Sequence, residues 1–226
     1  MRFSPVAAEV VNLKIHRLTL GPVATNCYIV GDEARAECVI IDPADPADQI
    51  LAQISASGWA LREIWITHAH FDHILALGAI QAQTGVQARM HPADIPTLDA
   101  LPQTMRAYFN REEPAPPHPA LNLSGGDLLT LGAETFEVRF VPGHAPGHVA
   151  FIDHAQKAVF SGDCVFYDSI GRTDLPGSDY ETLMRSIQAQ LLTLPDDYTV
   201  YPGHGQMTTI GRERIENPFL VEWLGR

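Results

Sequence analysis

The sequence predicts an α/β fold, and three observations carry that reading. Short apolar runs rich in β-branched and aromatic residues end repeatedly at Pro or Gly, and one of them, Phe136-Glu137-Val138-Arg139-Phe140, alternates strictly. Between these runs lie segments with helical start and stop signals. No linker-like or low-complexity stretch divides the chain, so its 226 residues are expected to form a single domain, 1–226.

The elements follow in order. Asp45-Pro46, then Ile50, Leu51 and Ile54, then Gly58, reads as a helix with Asp45 at its start. Glu63-Ile64-Trp65-Ile66-Thr67 reads as a strand running to His68, and Ile74, Leu77 and Ile80, three apart, as a core-packed helix. Residues 101–120 carry Pro102, Pro114, Pro116, Pro117 and Pro119 with Tyr108 and Phe109. Such a long, helix-poor connection is expected to be a site-covering loop or a passive surface insertion. The 136–140 strand stops at Val141-Pro142-Gly143-His144, and Ala158-Val159-Phe160 runs into Ser161-Gly162-Asp163. Ser178-Asp179-Tyr180-Glu181 has a capping-box pattern ahead of Leu183, Met184, Ile187 and Leu191 on one face. Thr199-Val200-Tyr201 runs into Pro202-Gly203-His204.

Four of these strand ends carry histidine or aspartate: His68-Ala-His70-Phe-Asp72-His73, His144, Asp163 and His204. The glycine or proline beside the later islands lets the backbone bend sharply there. Ligands at one edge of a rigid sheet can converge, and three imidazoles plus a carboxylate in one small volume call for a cation. Imidazole with carboxylate suits Zn(II), Mn(II) or Fe(II) better than the oxygen-only shells of Ca(II) and Mg(II). His16, His91, His118 and His154 stand outside these islands and read as ordinary core or surface residues. His148, four residues past His144, is expected to support the site by a hydrogen bond rather than to ligate.

Together the islands resemble the ligand set of the metallo-β-lactamase superfamily. Gly21-Pro22-Val23-Ala24-Thr25-Asn26-Cys27-Tyr28, Ile170-Gly171-Arg172-Thr173-Asp174, Tyr201-Pro202-Gly203-His204-Gly205 and Glu216-Asn217-Pro218-Phe219-Leu220 are similar to its short, single-domain type II glyoxalase-like branch. The similarity runs from about Lys14 onward. The resemblance implies a four-layer αββα sandwich, which periodicity alone would leave at α/β. It implies two divalent metal ions, zinc first with iron or manganese as alternatives. One would be held by His68, His70 and His144, the other by Asp72, His73 and His204, with Asp163 bridging. It also implies hydrolysis of a small thioester such as a hydroxyacyl-glutathione by a metal-bridging hydroxide, with Asp72 as a base orienting it. A thiolate leaves readily, so little acid assistance is needed.

Arg172 matches a position where related glyoxalases place a basic residue facing glutathione; a structural pair with Asp168 or Asp174 explains it equally well. Three departures stand out. His73 is followed by Ile74-Leu75-Ala76-Leu77-Gly78 in place of a small, Gly-rich run, Ala145 replaces a common Thr, and the chain stops at Arg226, before the helical domain of larger type II glyoxalases. An alternative on the same fold is an iron-dependent persulfide dioxygenase, using first-island histidines, His144 and Asp163 at a mononuclear site. A metal-holding protein without activity is disfavoured because every ligand position is filled.

The composition fits a compact enzyme. At 46% hydrophobic residues there is ample core material, and a formal net charge of −12 argues against a nucleic-acid partner, whose phosphates need Lys and Arg. Cys27, Cys38 and Cys164 form neither a disulfide framework nor a thiolate metal motif, and Cys164 reads as a buried structural thiol. The amino-terminal apolar stretch, interrupted by Glu9, is too weak for a secretory signal, and no run reaches transmembrane length. A cytoplasmic enzyme with no membrane partner and a small-molecule substrate is expected.

Overall fold

The structure, a computed structural model, describes residues 13–225; the Glu9 stretch read for a signal lies outside them. Two six-stranded sheets form the centre. The first contains β1 (Leu13–Leu20), β2 (Thr25–Asp32), β3 (Glu37–Ile41), β4 (Ala60–Trp65), β5 (Ala88–Met90) and β6 (Leu121–Asn122), in that spatial order. Its first three strands are antiparallel, and β3 to β6 run parallel. The second is built from β7 (Leu128–Leu131), β8 (Glu134–Phe140), β9 (Val149–Asp153), β10 (Ala158–Gly162), β13 (Thr199–Pro202) and β14 (Thr208–Thr209), in the order β14-β13-β10-β9-β8-β7. A small hairpin, β11 (Val165–Phe166) and β12 (Ser169–Ile170), follows β10.

Period-two patterning creates the layers. In β2, Tyr28 and Val30 face the cluster that also holds Trp65, Phe136, Val138, Phe151 and Phe160, while Cys27 and Ile29 face the other way. In β9, Val149 and Phe151 join the same central cluster, and Ala150 and Ile152 turn to the opposite face. The central cluster is therefore the seam between the sheets. Each outer face is covered by helices, so both faces of β2, β9 and β10 are buried. Each large apolar side chain fully buried in these layers contributes about 1.5–3 kcal/mol. The result is the expected αββα sandwich.

Helices α1 (Ala47–Ser57), α2 (Phe71–Ile74), α3 (Leu77–Thr84), α4 (Ile95–Asp99) and α5 (Leu101–Phe109) accompany the first sheet. Helices α6 (Tyr180–Ser186), α7 (Ile210–Glu216) and α8 (Pro218–Trp223) accompany the second, α6 continuing into one π-helical stretch, Ile187–Leu191. Ile74, Leu77 and Ile80 are fully buried, although a break at Leu75 and Ala76 divides them between α2 and α3.

Three expectations need correction. Residues 101–120 are not helix-poor throughout, because Leu101–Phe109 is helical, with Leu101 and Met105 buried beneath it. Pro102 sits in the first turn, where a missing N–H breaks no helical bond. Only 110–120 is irregular. The start of α1 is Pro46 rather than Asp45, whose carboxylate instead pairs with Arg111 at 3.1 Å. The cap of α6 is Asp179, which accepts from Thr182 N at 2.8 Å, while Ser178 Oγ is engaged with Leu175. Among the described residues no helix is long and apolar enough to cross a membrane.

Candidate metal centre

All the strand-end islands meet at one edge of the sandwich. His68 follows β4, His144 follows β8, Asp163 follows β10 and His204 follows β13. The first island is extended through His70 and then turns into α2, which carries Asp72 and His73. The other loops are locked to one another. Gly203 N donates to Gly162 O at 2.8 Å, Asn26 N donates to Gly203 O at 2.7 Å, and Val149 N donates to Thr67 O at 2.8 Å. Asn26 Nδ2 also donates to Pro202 O and Gly205 O, so the start of β2 clamps the His204 turn.

Three three-donor groups result among the described residues, each with its ligand atoms within 4.8 Å of one another: His68/His70/His144, Asp72/His73/His204, and Asp42/His68/His73, which borrows one histidine from each of the others. His70 Nδ1 and His144 Nε2 stand 2.8 Å apart. The Asp163 carboxylate touches the first two groups: Oδ2 is 3.5 Å from His144 Nε2 and 3.4 Å from His204 Nε2, and Oδ1 is 3.4 Å from His73 Nε2. His204 Nε2 lies 3.1 Å from Asp72 Oδ2.

Hydrogen bonds on the far side of each ring set which nitrogen is bare. His144 Nδ1 donates to Arg172 O at 2.8 Å, His73 Nδ1 to Asp42 Oδ2 at 2.9 Å, and His68 Nδ1 to Thr67 Oγ1 at 3.0 Å. Thr67 Oγ1 in turn donates to Asp42 Oδ2 at 2.7 Å. In its singly protonated form each of these rings therefore turns a bare Nε2 inward. His68 Nε2, His73 Nε2 and Asp163 Oδ1 are buried with no hydrogen-bond partner. Buried polar atoms are rarely left unbonded, and three at one point, all lone-pair donors, fit divalent cations of borderline softness.

The electrostatics divide the site. Burial, reinforced by neighbouring imidazoles, holds His68 well below the usual histidine range, and burial with the adjacent His144 pulls His70 down to about 3. Burial pulls His204 down too, but hydrogen bonds to Asp163 and Asp72 outweigh it and push it up to about 10. His73 is likewise raised, because Asp72, Asp163 and Asp42 outweigh its burial. Burial would raise Asp72, but His73 and His204 bring it down to about 2, so it is a carboxylate at neutral pH.

His148 has both nitrogens engaged. Nε2 accepts from Asp163 N at 3.0 Å, and Nδ1 lies 3.3 Å from the buried Cys164 thiol. It thus braces the Asp163 turn and is absent from all three ligand groups. Arg172 forms a two-pronged pair with Asp174, at 2.7 and 2.8 Å, and its guanidinium is largely exposed; Asp168 is taken by Arg212. Sequence reasoning missed Asp42 and Thr25, whose Oγ1 donates to Asp72 Oδ2 at 2.6 Å. Asp42 does end an apolar strand, Cys38-Val39-Ile40-Ile41, just as the ligands do, and that signal was available.

Comparison with known proteins agrees with this geometry. Residues 20–204 match the family model of the metallo-β-lactamase superfamily. The chain belongs to that superfamily. Hydroxyacylglutathione hydrolase GloC of Haemophilus influenzae is 38% identical over 197 residues, covering 86% of this chain and 92% of the relative. Among solved structures, the BLEG-1 B3 metallo-beta-lactamase superposes with a TM-score of 0.86 at 35% identity, covering 92% of this chain and 99% of that one. TTHA1623 in a di-iron-bound form gives 0.82 at 40% identity, covering 91% and 100%. ETHE1 from Myxococcus xanthus gives 0.75 at 25% identity, covering 94% and 90%. This metallo-β-lactamase superfamily member is a metallo-hydrolase, and its clustered histidines and aspartates could hold metal.

Proposed function

We propose that this superfamily member hydrolyses a small thioester, of the hydroxyacyl-glutathione kind, at a two-metal centre. The observation that carries the reading is the Asp163 carboxylate lying between two complete three-donor groups, together with 38% identity to a hydroxyacylglutathione hydrolase. His68, His70 and His144 would hold one divalent ion and Asp72, His73 and His204 the other, with Asp163 shared. Zinc is the first choice; the di-iron-bound relative makes iron the next. Bound there, the cations supply an acidified water and polarise the substrate carbonyl.

The chain's own residues supply the rest. Asp72, ionised at neutral pH and held by Thr25 Oγ1, orients the water and can accept its proton. Arg172 stands exposed beside the His144 turn, and its guanidinium can exchange Asp174 for a substrate carboxylate. The leaving thiolate needs no protein acid.

The test is thiol release from a panel of acyl-glutathiones and acyl-CoAs, on protein of measured metal content. Two metals per chain with acyl-glutathione turnover supports the proposal. One iron per chain with oxygen consumption on glutathione persulfide would support the dioxygenase alternative, against which the complete Asp72/His73/His204 group weighs. Turnover of a β-lactam with none of the thioesters would replace the thioester reading, an arm suggested by the likeness to BLEG-1.

A further inference from the structure

Asp94 lies outside every ligand island, yet its side chain reaches two of them. It ends the 3₁₀ turn Pro92–Asp94 and precedes α4, a position from which an aspartate ordinarily caps its own helix. No such cap bond is made. Instead Oδ2 accepts from Ala69 N at 2.9 Å and Oδ1 accepts from Gly147 N at 2.5 Å. Ala69 is the residue between His68 and His70, and Gly147 belongs to the loop that carries His144. The first loop leaves β4 of one sheet and the second leaves β8 of the other.

The link is tight on both sides. Asp94 is fully buried, and among the described residues no cation bonds its carboxylate; both oxygens are taken up by the two backbone N–H groups. A Cβ placed on Gly147 would come within 2.8 Å of Asp94 Cγ, Oδ1 and N, so only glycine allows this approach. The spacing it governs is that between two donors of this group, His70 Nδ1 and His144 Nε2, which face each other at 2.8 Å across the two loops.

We propose that Asp94 is a positioning residue that sets the spacing of the His68/His70/His144 group by clamping its two loops across the sandwich. The other group draws on α2 and the His204 turn, and its spacing depends on Asp42, Thr25 and Asn26 instead. Asp94 therefore acts on one metal, not on both. This inference rests on the two-metal reading above.

The experiment is a Zn(II) titration against a competing chelator, with wild type and Asp94→Asn side by side and His144→Ala as the reference for loss of that group. An amide at position 94 keeps the shape but must turn its NH₂ toward one of the two N–H donors. The expected result is a Kd about 10–100-fold weaker for one of two ions, the size seen when an outer partner of a ligand is lost. The remaining ion stays within twofold of wild type, and the apo-protein melts within a few degrees of it. Gly147→Ala strains the same clamp from the other loop and should give the same pattern; it carries the test if Asp94→Asn does not fold. Unchanged binding of both ions, or equal weakening of both, overturns the assignment. A wild type that binds no zinc would sink the two-metal reading itself, which is a different outcome.

Discussion

Asp42 Oδ2 accepts the Nδ1 hydrogen of His73 at 2.9 Å, and this single contact decides which face of His73 can serve a cation. With one proton fixed on Nδ1, Nε2 is the nitrogen that sheds its proton to serve a cation, buried 3.3 Å from Asp72 and 3.4 Å from Asp163. Asp42 is itself immobilised by Thr67, which donates both its N–H, to Oδ1, and its hydroxyl, to Oδ2. It adopts the left-handed backbone region at φ 55°, which aspartate tolerates better than most residues.

Asp42→Asn should therefore weaken most the ion held by Asp72, His73 and His204, with a smaller effect passed through Thr67 to His68. Thr67 N fixes one position of the side chain as an acceptor, so the amide NH₂ must face His73 Nδ1. That favours the opposite tautomer, whose proton sits on Nε2 where a metal would bind. Affinity for that ion should fall about 10–100-fold. Chelator competition measures it, and a wild-type Kd would show that Asp42 does not set the tautomer.

Metal uptake should release protons unequally. At pH 7 the apo-protein holds protons on His204, pushed up to about 10, and on the raised His73, while His68 and His70 are neutral. Raised groups must lose their protons when a cation binds, so affinity for the Asp72/His73/His204 ion should rise with pH through neutrality. The imidazoles of the other group have none to lose at pH 7. Calorimetry in buffers of different ionisation enthalpy reads the release directly. Equal release for both ions would contradict the assignment.

Much of the centre was legible because each ligand ends a strand whose apolar run is followed by a turn residue. Asp42 obeys the same rule but has no histidine beside it, so nothing singled it out. Asp94 was hidden differently, since both its partners are backbone N–H groups from loops distant in sequence. Helix α5 was lost because the prolines of 101–120 were weighed together, although Pro102 alone occupies a helix start. The Asp179 cap was off by one residue because Ser178 is engaged by Leu175, a tertiary choice that no local pattern records. Layering was not readable from periodicity, because the alternation in β8 buries only the face that carries Phe136 and Val138, and the four layers followed from the family resemblance alone.

Asp72→Ala should abolish thioester hydrolysis while the protein stays folded. The substitution removes a carboxylate that faces His73 and His204 and strands the Thr25 hydroxyl, a loss of about 1–3 kcal/mol for one unpaired buried group. That is too little to unfold a sandwich of this size. Turnover and a denaturation curve on the same sample check it, and retained turnover would remove Asp72 from the reaction.

Gly203→Ala should empty the centre from its floor. The residue precedes His204, and its backbone bonds Gly162 and the start of β2 on either side, so it cannot retreat. An added methyl would collide with Asp163 Oδ1 and stand 2.8 Å from His73 Cε1. Asp163 has no room to swing away, because its N–H is held by His148 and its other oxygen lies between His144 and His204. Overpacking of this kind destabilises by about 1–3 kcal/mol. The larger effect should be on metal: the displaced carboxylate is the one shared by both groups, so both ions should weaken together. A zinc titration that finds both ions still bound at wild-type affinity would mean that Asp163 is not the shared ligand.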